Sequence, residues 1–267
     1  MTNEFSKGSK ERRIKDKDLF ETVEEVFDAK TVMTIYELMK RRVLRRVNGV
    51  ISAGKEARVY LAYGFNKDPL AIKIYLTSTA EFRKGIIKYI AGDPRFNGVK
   101  LGGVRRLIYL WAKKEFRNLK RMYEVGVRVP KPIAVLNNVL VMEFIGEEGL
   151  RYPLLKEVWR ELSREELFKV YELLIEDVKK MYCLAKLVHA DLSEFNVMVK
   201  PGGIPVIIDV SQSVSIDHPH AEEFLVRDIR NIYDFFHSEA GLEIADFRDI
   251  LKEVRSCRGV KEDLSLE

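Results

Sequence analysis

The chain has 267 residues, 46% of them hydrophobic and 33% charged, with 46 Lys and Arg against 41 Asp and Glu for a formal charge of +5. That is enough apolar material for one large domain or two compact lobes, and the mild basic excess permits a polyanionic partner without requiring one. No stretch approaches the roughly 18 uninterrupted apolar residues of a membrane span, and the polar opening from Met1 to Lys17 does not read as a signal peptide, so a cytoplasmic protein with no membrane partner is expected.

In chain order, the first 17 residues read as disordered, and Asp18 to Arg46 as helices, with Leu19, Val23, Val26 and Phe27 and then Ile35, Leu38 and Met39 at helical spacing. Val59 to Ala62 and Leu70 to Tyr75 read as two strands joined through Gly64 to Pro69. Thr77 to Leu107 shows no clean period and predicts a flap or partly disordered segment. Trp111 to Val125 predicts a helix ended by Gly126, Val139 to Ile145 a strand, and Glu157 to Leu187 a largely helical stretch. Val197 to Lys200 and Val206 to Val210 predict short strands around Pro201-Gly202-Gly203, with helix from Ala221 onward. Strands first and helices later imply an α+β protein, a small sheet lobe followed by a larger helical lobe with the cleft between them as the default site. The expected divisions are an extension over 1–48, a sheet lobe over 49–145 and a helical lobe over 146–267.

Cys183 and Cys257 have no paired spacing, which predicts reduced thiols, with neither a disulfide framework nor a zinc site. The high charged fraction and the single glutamine, Gln212, resemble thermophile composition.

Four motifs occur in the order that phosphoryl transfer from ATP uses them. The run from Ile51 to Tyr60 aligns with a glycine-rich phosphate loop in which Ser52 and Ala57 replace the outer glycines and Gly54 remains, followed by Val59, with Lys55 inside the loop. Small residues there let the backbone approach phosphates. Leu70-Ala71-Ile72-Lys73 places a lysine on the next strand to pair the α- and β-phosphates. His189-Ala190-Asp191-Leu192-Ser193-Glu194-Phe195-Asn196 has the spacing of a catalytic loop, with Asp191 receiving or orienting the acceptor proton and Asn196 turning back to Mg²⁺. Ile207-Ile208-Asp209 ends an apolar strand in a second metal-binding carboxylate, followed by Val210 and Ser211 where Phe and Gly are usual. Each motif alone has a bland reading, from hairpin turn to solvent-facing lysine to strand-end carboxylate, but four in order do not. Glu115 is the expected partner of Lys73, with Glu124 as runner-up, and backbone groups from Glu143 to Ile145 are expected to hold adenine in front of Met142.

The strings SAGKEARVY from Ser52, LAIKIY from Leu70, KEFRNLKR from Lys114, VHADLSEFN from Val188 and IDVSQSV from Ile208 resemble a RIO kinase over almost the whole chain. Ala190, where the second branch carries glycine, and the lack of room for a winged helix point to the first branch, of archaeal type. The resemblance implies a bilobal protein-kinase-like fold and serine/threonine kinase activity with ATP and Mg or Mn. It assigns Asp191 as catalytic aspartate, Asn196 and Asp209 as metal ligands, Lys73 as phosphate contact and Thr77 to Leu107 as a flexible loop. It also implies autophosphorylation, a role in small ribosomal subunit maturation with pre-ribosomal RNA or proteins as partners, and for some members ATPase action through a phosphorylated Asp209. Only 58 residues follow Asp209 (267 − 209), with no A-P-E segment, so a standard activation segment is not expected. Two alternatives stand beside this: a small-molecule kinase of the aminoglycoside or choline type, because Ser193 replaces the usual catalytic-loop lysine, and a nucleotide-gated ribosome-binding module using a helical stripe of Arg41, Arg42, Arg45 and Arg46.

Overall fold

The structure, a computed structural model, describes residues 28–76, 80–98 and 102–259. Asp28 opens helix α1 (Ala29–Lys40) by accepting the Thr31 N–H at 2.8 Å, satisfying one of the free donors of the first turn. The disordered opening and residues 18–27 of the expected helices lie outside the described residues. From Asp28 the helix stops at Lys40, short of Arg46, because Arg42 takes a φ of 60° and Arg46 begins a strand. The arginine stripe is therefore not helical. Arg41 pairs with Glu37 at 2.9 Å, Arg42 lies over Phe65, and Arg46 lies over Tyr63.

The sheet contains β1 (Arg46–Ala53), β2 (Ala57–Tyr63), β3 (Pro69–Tyr75), β4 (Pro132–Leu136) and β5 (Val139–Glu143), antiparallel throughout in the order β1-β2-β3-β5-β4. The expected strand to Ile145 ends two residues early, at Glu143. Side chains alternate across a strand, so Ile72 and Ile74 pack with Ile35 and Leu38 of α1, while Ala71 and Lys73 face the other way.

Between β3 and the long helix, the stretch expected to be irregular forms helix α2 (Ala80–Ile90) and a short turn at Pro94–Phe96, anchored by buried Ile86, Tyr89, Ile90 and Phe96. Helix α3 (Val104–Glu124) starts seven residues before the expected Trp111. Residues 77–79 and 99–101 of that stretch lie outside the described residues.

After the small β6 (Gly146–Glu147) and β7 (Leu150–Arg151), the chain becomes helical: α4 (Leu155–Val158) and α5 (Arg164–Lys180). The expected single helical stretch is divided because Ser163 starts α5 anew, its hydroxyl and the Glu166 carboxylate exchanging bonds with each other's N–H at 3.1 and 3.0 Å. Then follow β8 (Leu187–Val188), β9 (Val197–Lys200), β10 (Ile204–Ile207), β11 (Val214–Ser215), α6 (Ala221–Tyr233) and α7 (Phe247–Arg255). One apolar core joins α3, α5, α6 and α7, including Trp111, Leu174, Ile229 and Val254.

The cysteines depart from expectation. Cys183 and Cys257 form a disulfide across 74 residues of sequence. Spacing does not reveal the pair, because only the packing of α7 against α5 and the wide turn at its end brings the two together.

Candidate active site

A cleft of about 490 Å³ separates the sheet from the helical part. It is lined by Ser52, Gly54, Lys55, Ala57 and Val59 from the β1–β2 hairpin, by Lys73 and Glu115, by Met142, Glu143 and Ile145, and by Asn196 and Asp209. Asp191 is not in the wall but at the lip, exposed beside Asn196. The site thus collects residues from both parts of the chain.

At its centre Lys73 Nζ donates to Glu115 Oε1 at 2.9 Å and to Asp209 Oδ1 at 2.8 Å. The second Glu115 oxygen accepts from the Tyr75 hydroxyl. Glu124, the runner-up, instead faces Lys120 on the surface of α3. Burial works against the charge on Lys73, but Asp209 and Glu115 outweigh it and raise its pKa above the usual lysine range. Burial also opposes ionisation of Asp209, yet the Lys73 charge and hydrogen bond and the Ser211 hydroxyl, 2.8 Å away, bring its carboxyl down to about 2. Asp209 has a φ of 54°, a left-handed conformation that aspartate tolerates.

Asp191 and Glu56 form the acidic side of the cleft mouth, both reachable by solvent, each with its pKa raised by partial desolvation against the surrounding protein and by the charge of Asp209. Asn196 donates from Nδ2 to the Asp191 backbone carbonyl at 2.8 Å, which leaves its amide oxygen turned away from that bond. Gln212 Nε2 donates to Asp191 Oδ2 at 3.0 Å. His189, two residues before, is buried and held near pKa 4 by that burial, so it is neutral at pH 7.

Several positioning groups escaped the sequence reading. The buried carboxylate of Asp228 accepts the N–H groups of Ala190 at 2.7 Å and Leu192 at 3.0 Å, the two neighbours of Asp191. Arg227 donates to the Ala190 carbonyl and Asn231 to that of Leu192. This bracing holds Ala190 at a φ of 68°, which favours glycine and costs a residue with a Cβ about 1–2 kcal/mol. Burial raises the Asp228 pKa to about 7, despite the two backbone donors.

A second set pins the segment after Asp209. On α3, Lys114 Nζ donates to the carbonyls of Ser211 at 2.7 Å and Ser213 at 2.5 Å, and Asn118 Nδ2 donates to those of Val210 at 2.8 Å and Ser213 at 3.1 Å. Arg95, itself clasped by Asp93, also reaches the Ser213 carbonyl. The signal for this set was in the sequence. Trp111, Glu115, Asn118 and Met122 share one helical stripe, and polar groups on an apolar stripe must find buried partners.

Residues 58–250 match the family described as the RIO domain. The chain is 44% identical over 250 residues to serine/threonine-protein kinase RIO1 of Caenorhabditis elegans, covering 93% of this chain and 48% of that protein. It is 44% identical over 244 residues to the human serine/threonine-protein kinase RIO1, covering 90% of this chain and 42% of that one, so it spans about half the length of these relatives or less. The RIO-type serine/threonine-protein kinase Rio1 of Methanocaldococcus jannaschii is 41% identical over 236 residues, covering 88% of this chain and 78% of the relative. Two crystal structures of Rio2 kinase from Chaetomium thermophilum superpose with TM-scores of 0.61 and 0.57 at 24% identity. They cover 82% of this chain and 66% and 65% of theirs, and one is an ADP/Mg²⁺-phosphoaspartate complex. The sheet-then-helices arrangement is thus kinase-like.

Proposed function

Because the chain belongs to the RIO family, we propose that it is an ATP-dependent serine/threonine phosphotransferase, acting as a protein kinase, an ATPase or both, in maturation of the small ribosomal subunit. The observation that carries this reading is the convergence of Lys73 on both Glu115 and Asp209, with Asn196 and Gln212 completing the same cleft wall.

In this reading the adenine ring lies against Met142 and Ala71. The Glu143 N–H is already bonded to the Lys131 carbonyl at 2.8 Å, which favours Ile145 as the backbone partner. Lys73, fixed by Glu115, meets the phosphates as a charge already in place, so little reorganisation is needed when they arrive. The Ser52 hydroxyl and the Gly54 backbone close over them.

Mg²⁺ or Mn²⁺ would be held by the Asp209 carboxylate and the Asn196 amide oxygen. Among the described residues no group of three or more His, Cys, Asp and Glu forms a cage of its own. Two protein oxygens completed by phosphate and water suit a hard cation of this kind, which when bound neutralises charge on the transferring group. Asp191 then orients the acceptor hydroxyl and takes its proton, its raised pKa bringing its basicity nearer to neutral pH. Attack of the ionised Asp209 carboxylate on the γ-phosphorus, with ADP leaving, followed by cleavage of that acyl phosphate by water, is the route by which the same residues would hydrolyse ATP. Autophosphorylation belongs to the kinase branch of this reading.

Among the described residues no helix is long and apolar enough to cross a membrane. A cytoplasmic site of action and pre-ribosomal partners follow from the family reading. The test is Mg²⁺-dependent turnover of labelled ATP by the purified chain, alone and with small-subunit precursors, counting phosphate released against phosphate fixed to protein. Release stimulated by the particles supports the ATPase branch, and phosphate on a ribosomal or assembly protein supports the kinase branch. Transfer only to small alcohols, or no turnover, overturns the proposal.

A further inference from the structure

The chain contains one glutamine, and the fold places it in the cleft wall. We propose that Gln212 is a positioning residue for Asp191: its amide N–H holds one carboxylate oxygen, so that the other faces the acceptor hydroxyl. The inference deepens the phosphotransfer reading and rests on it.

The geometry is specific. Gln212 Nε2 lies 3.0 Å from Asp191 Oδ2, while Asn196 Nδ2, committed to the Asp191 backbone carbonyl, is 3.5 Å from the same oxygen. Gln212 is therefore the nearest donor to that carboxylate among the described residues, and no hydrogen bond to Oδ1 forms there. Asp191 is exposed, so without a donor its side chain could rotate freely about χ1 and χ2. A general base must sit within hydrogen-bond reach of the proton it takes, and a rotating carboxylate does so only part of the time.

Gln212 is also presented rigidly. Its neighbours Ser211 and Ser213 have their carbonyls clamped by Lys114, and Ser213 also by Asn118 and Arg95. Adjacent residues divide the work: the Ser211 hydroxyl bonds Asp209, and the Gln212 amide bonds Asp191. Two carboxylates that repel each other are each given a donor from a two-residue span, which fixes their separation.

The test uses the full chain and steady-state ATP turnover with Mg²⁺, with the melting temperature measured for every variant. Gln212→Ala should lower kcat about tenfold, the order of one lost hydrogen bond to a charged group, with KM for ATP changed less than twofold. Gln212→Glu keeps the shape but sets a carboxylate against Asp191, and should fall below the alanine variant. Gln212→Lys retains a donor and should recover most of the lost kcat. That opposite response of two variants of similar length cannot come from altered packing or from partial unfolding. Wild-type kcat in Gln212→Ala or Gln212→Glu, or equal losses in the Glu and Lys variants, overturns the assignment while leaving the phosphotransfer reading intact. No turnover by the wild-type chain overturns that reading itself.

Discussion

Reducing the Cys183–Cys257 disulfide should loosen the helical part of the molecule by an amount that its position sets. The bridge closes a loop of 74 residues, and the loss of denatured-chain entropy for a loop that long is worth about 4.4 kcal/mol at 25 °C. For a chain of this size that corresponds to roughly 9–18 °C in melting temperature. The enclosed loop holds Asp191, Asn196, Asp209 and Gln212, so the cross-link spans the segment that carries the proposed active-site residues. The assay is urea unfolding of the wild type and Cys257→Ser, each with and without reductant. The wild type should lose stability on reduction to the level of the variant, and the variant should not respond. Equal midpoints in all four samples, or two titratable thiols in the denatured, unreduced chain, would refute the reasoning.

Asp191→Ala should lower kcat by about 10²–10⁴-fold while nucleotide binding, followed by fluorescence or calorimetry, stays near wild type, because Asp191 lies outside the pocket wall. Asp209→Ala should abolish metal-dependent turnover and any hydroxylamine-sensitive phosphate on the enzyme, and an adduct that persists assigns the phosphate to another residue. Asp228, with a folded pKa near 7 against 3.8 for the ordinary carboxylate, binds its proton more tightly in the folded state. Its contribution to stability therefore falls as pH rises from about 4 to about 7, and Asp228→Asn should remove that slope from urea midpoints measured across this window. Lys114→Met keeps the bulk but leaves the buried Ser211 carbonyl without a side-chain donor, while Asn118 and Arg95 still serve that of Ser213, and should cost about 1–3 kcal/mol in the same assay.

That Lys73, Glu115, Asn196 and Asp209 would share one cleft was legible because their motifs have short, fixed spacings. Lys73 sits on a strand that alternation turns inward, and Asp191 and Asn196 share one tight loop. Strand β1 was not legible, since it is mostly exposed and its register shifts at Val47, Val50 and Ser52 break the period of two. Helix α2 was obscured by Gly85 and the glycines that follow, although Ile86, Tyr89 and Ile90 carry helical spacing. The groups that brace Asp191 come from a helix 36 residues or more downstream, and the disulfide joins residues 74 apart. Such partners are set by how elements pack, and no local pattern announces them.

The clamp between α3 and the segment following Asp209 bears on how the proposed activity would be controlled. The helix that carries Glu115 is also the one whose Lys114 and Asn118 grip that segment, so neither can swing away alone. Detaching them would strip two buried side-chain donors of their partners, at about 1–3 kcal/mol each, leaving at most a few per cent of molecules disengaged. Among the described residues, the proposed machinery is therefore already assembled before nucleotide arrives. In the proposed reading, the point left open to restraint is the lip at Asp191, where an acceptor is admitted or kept away.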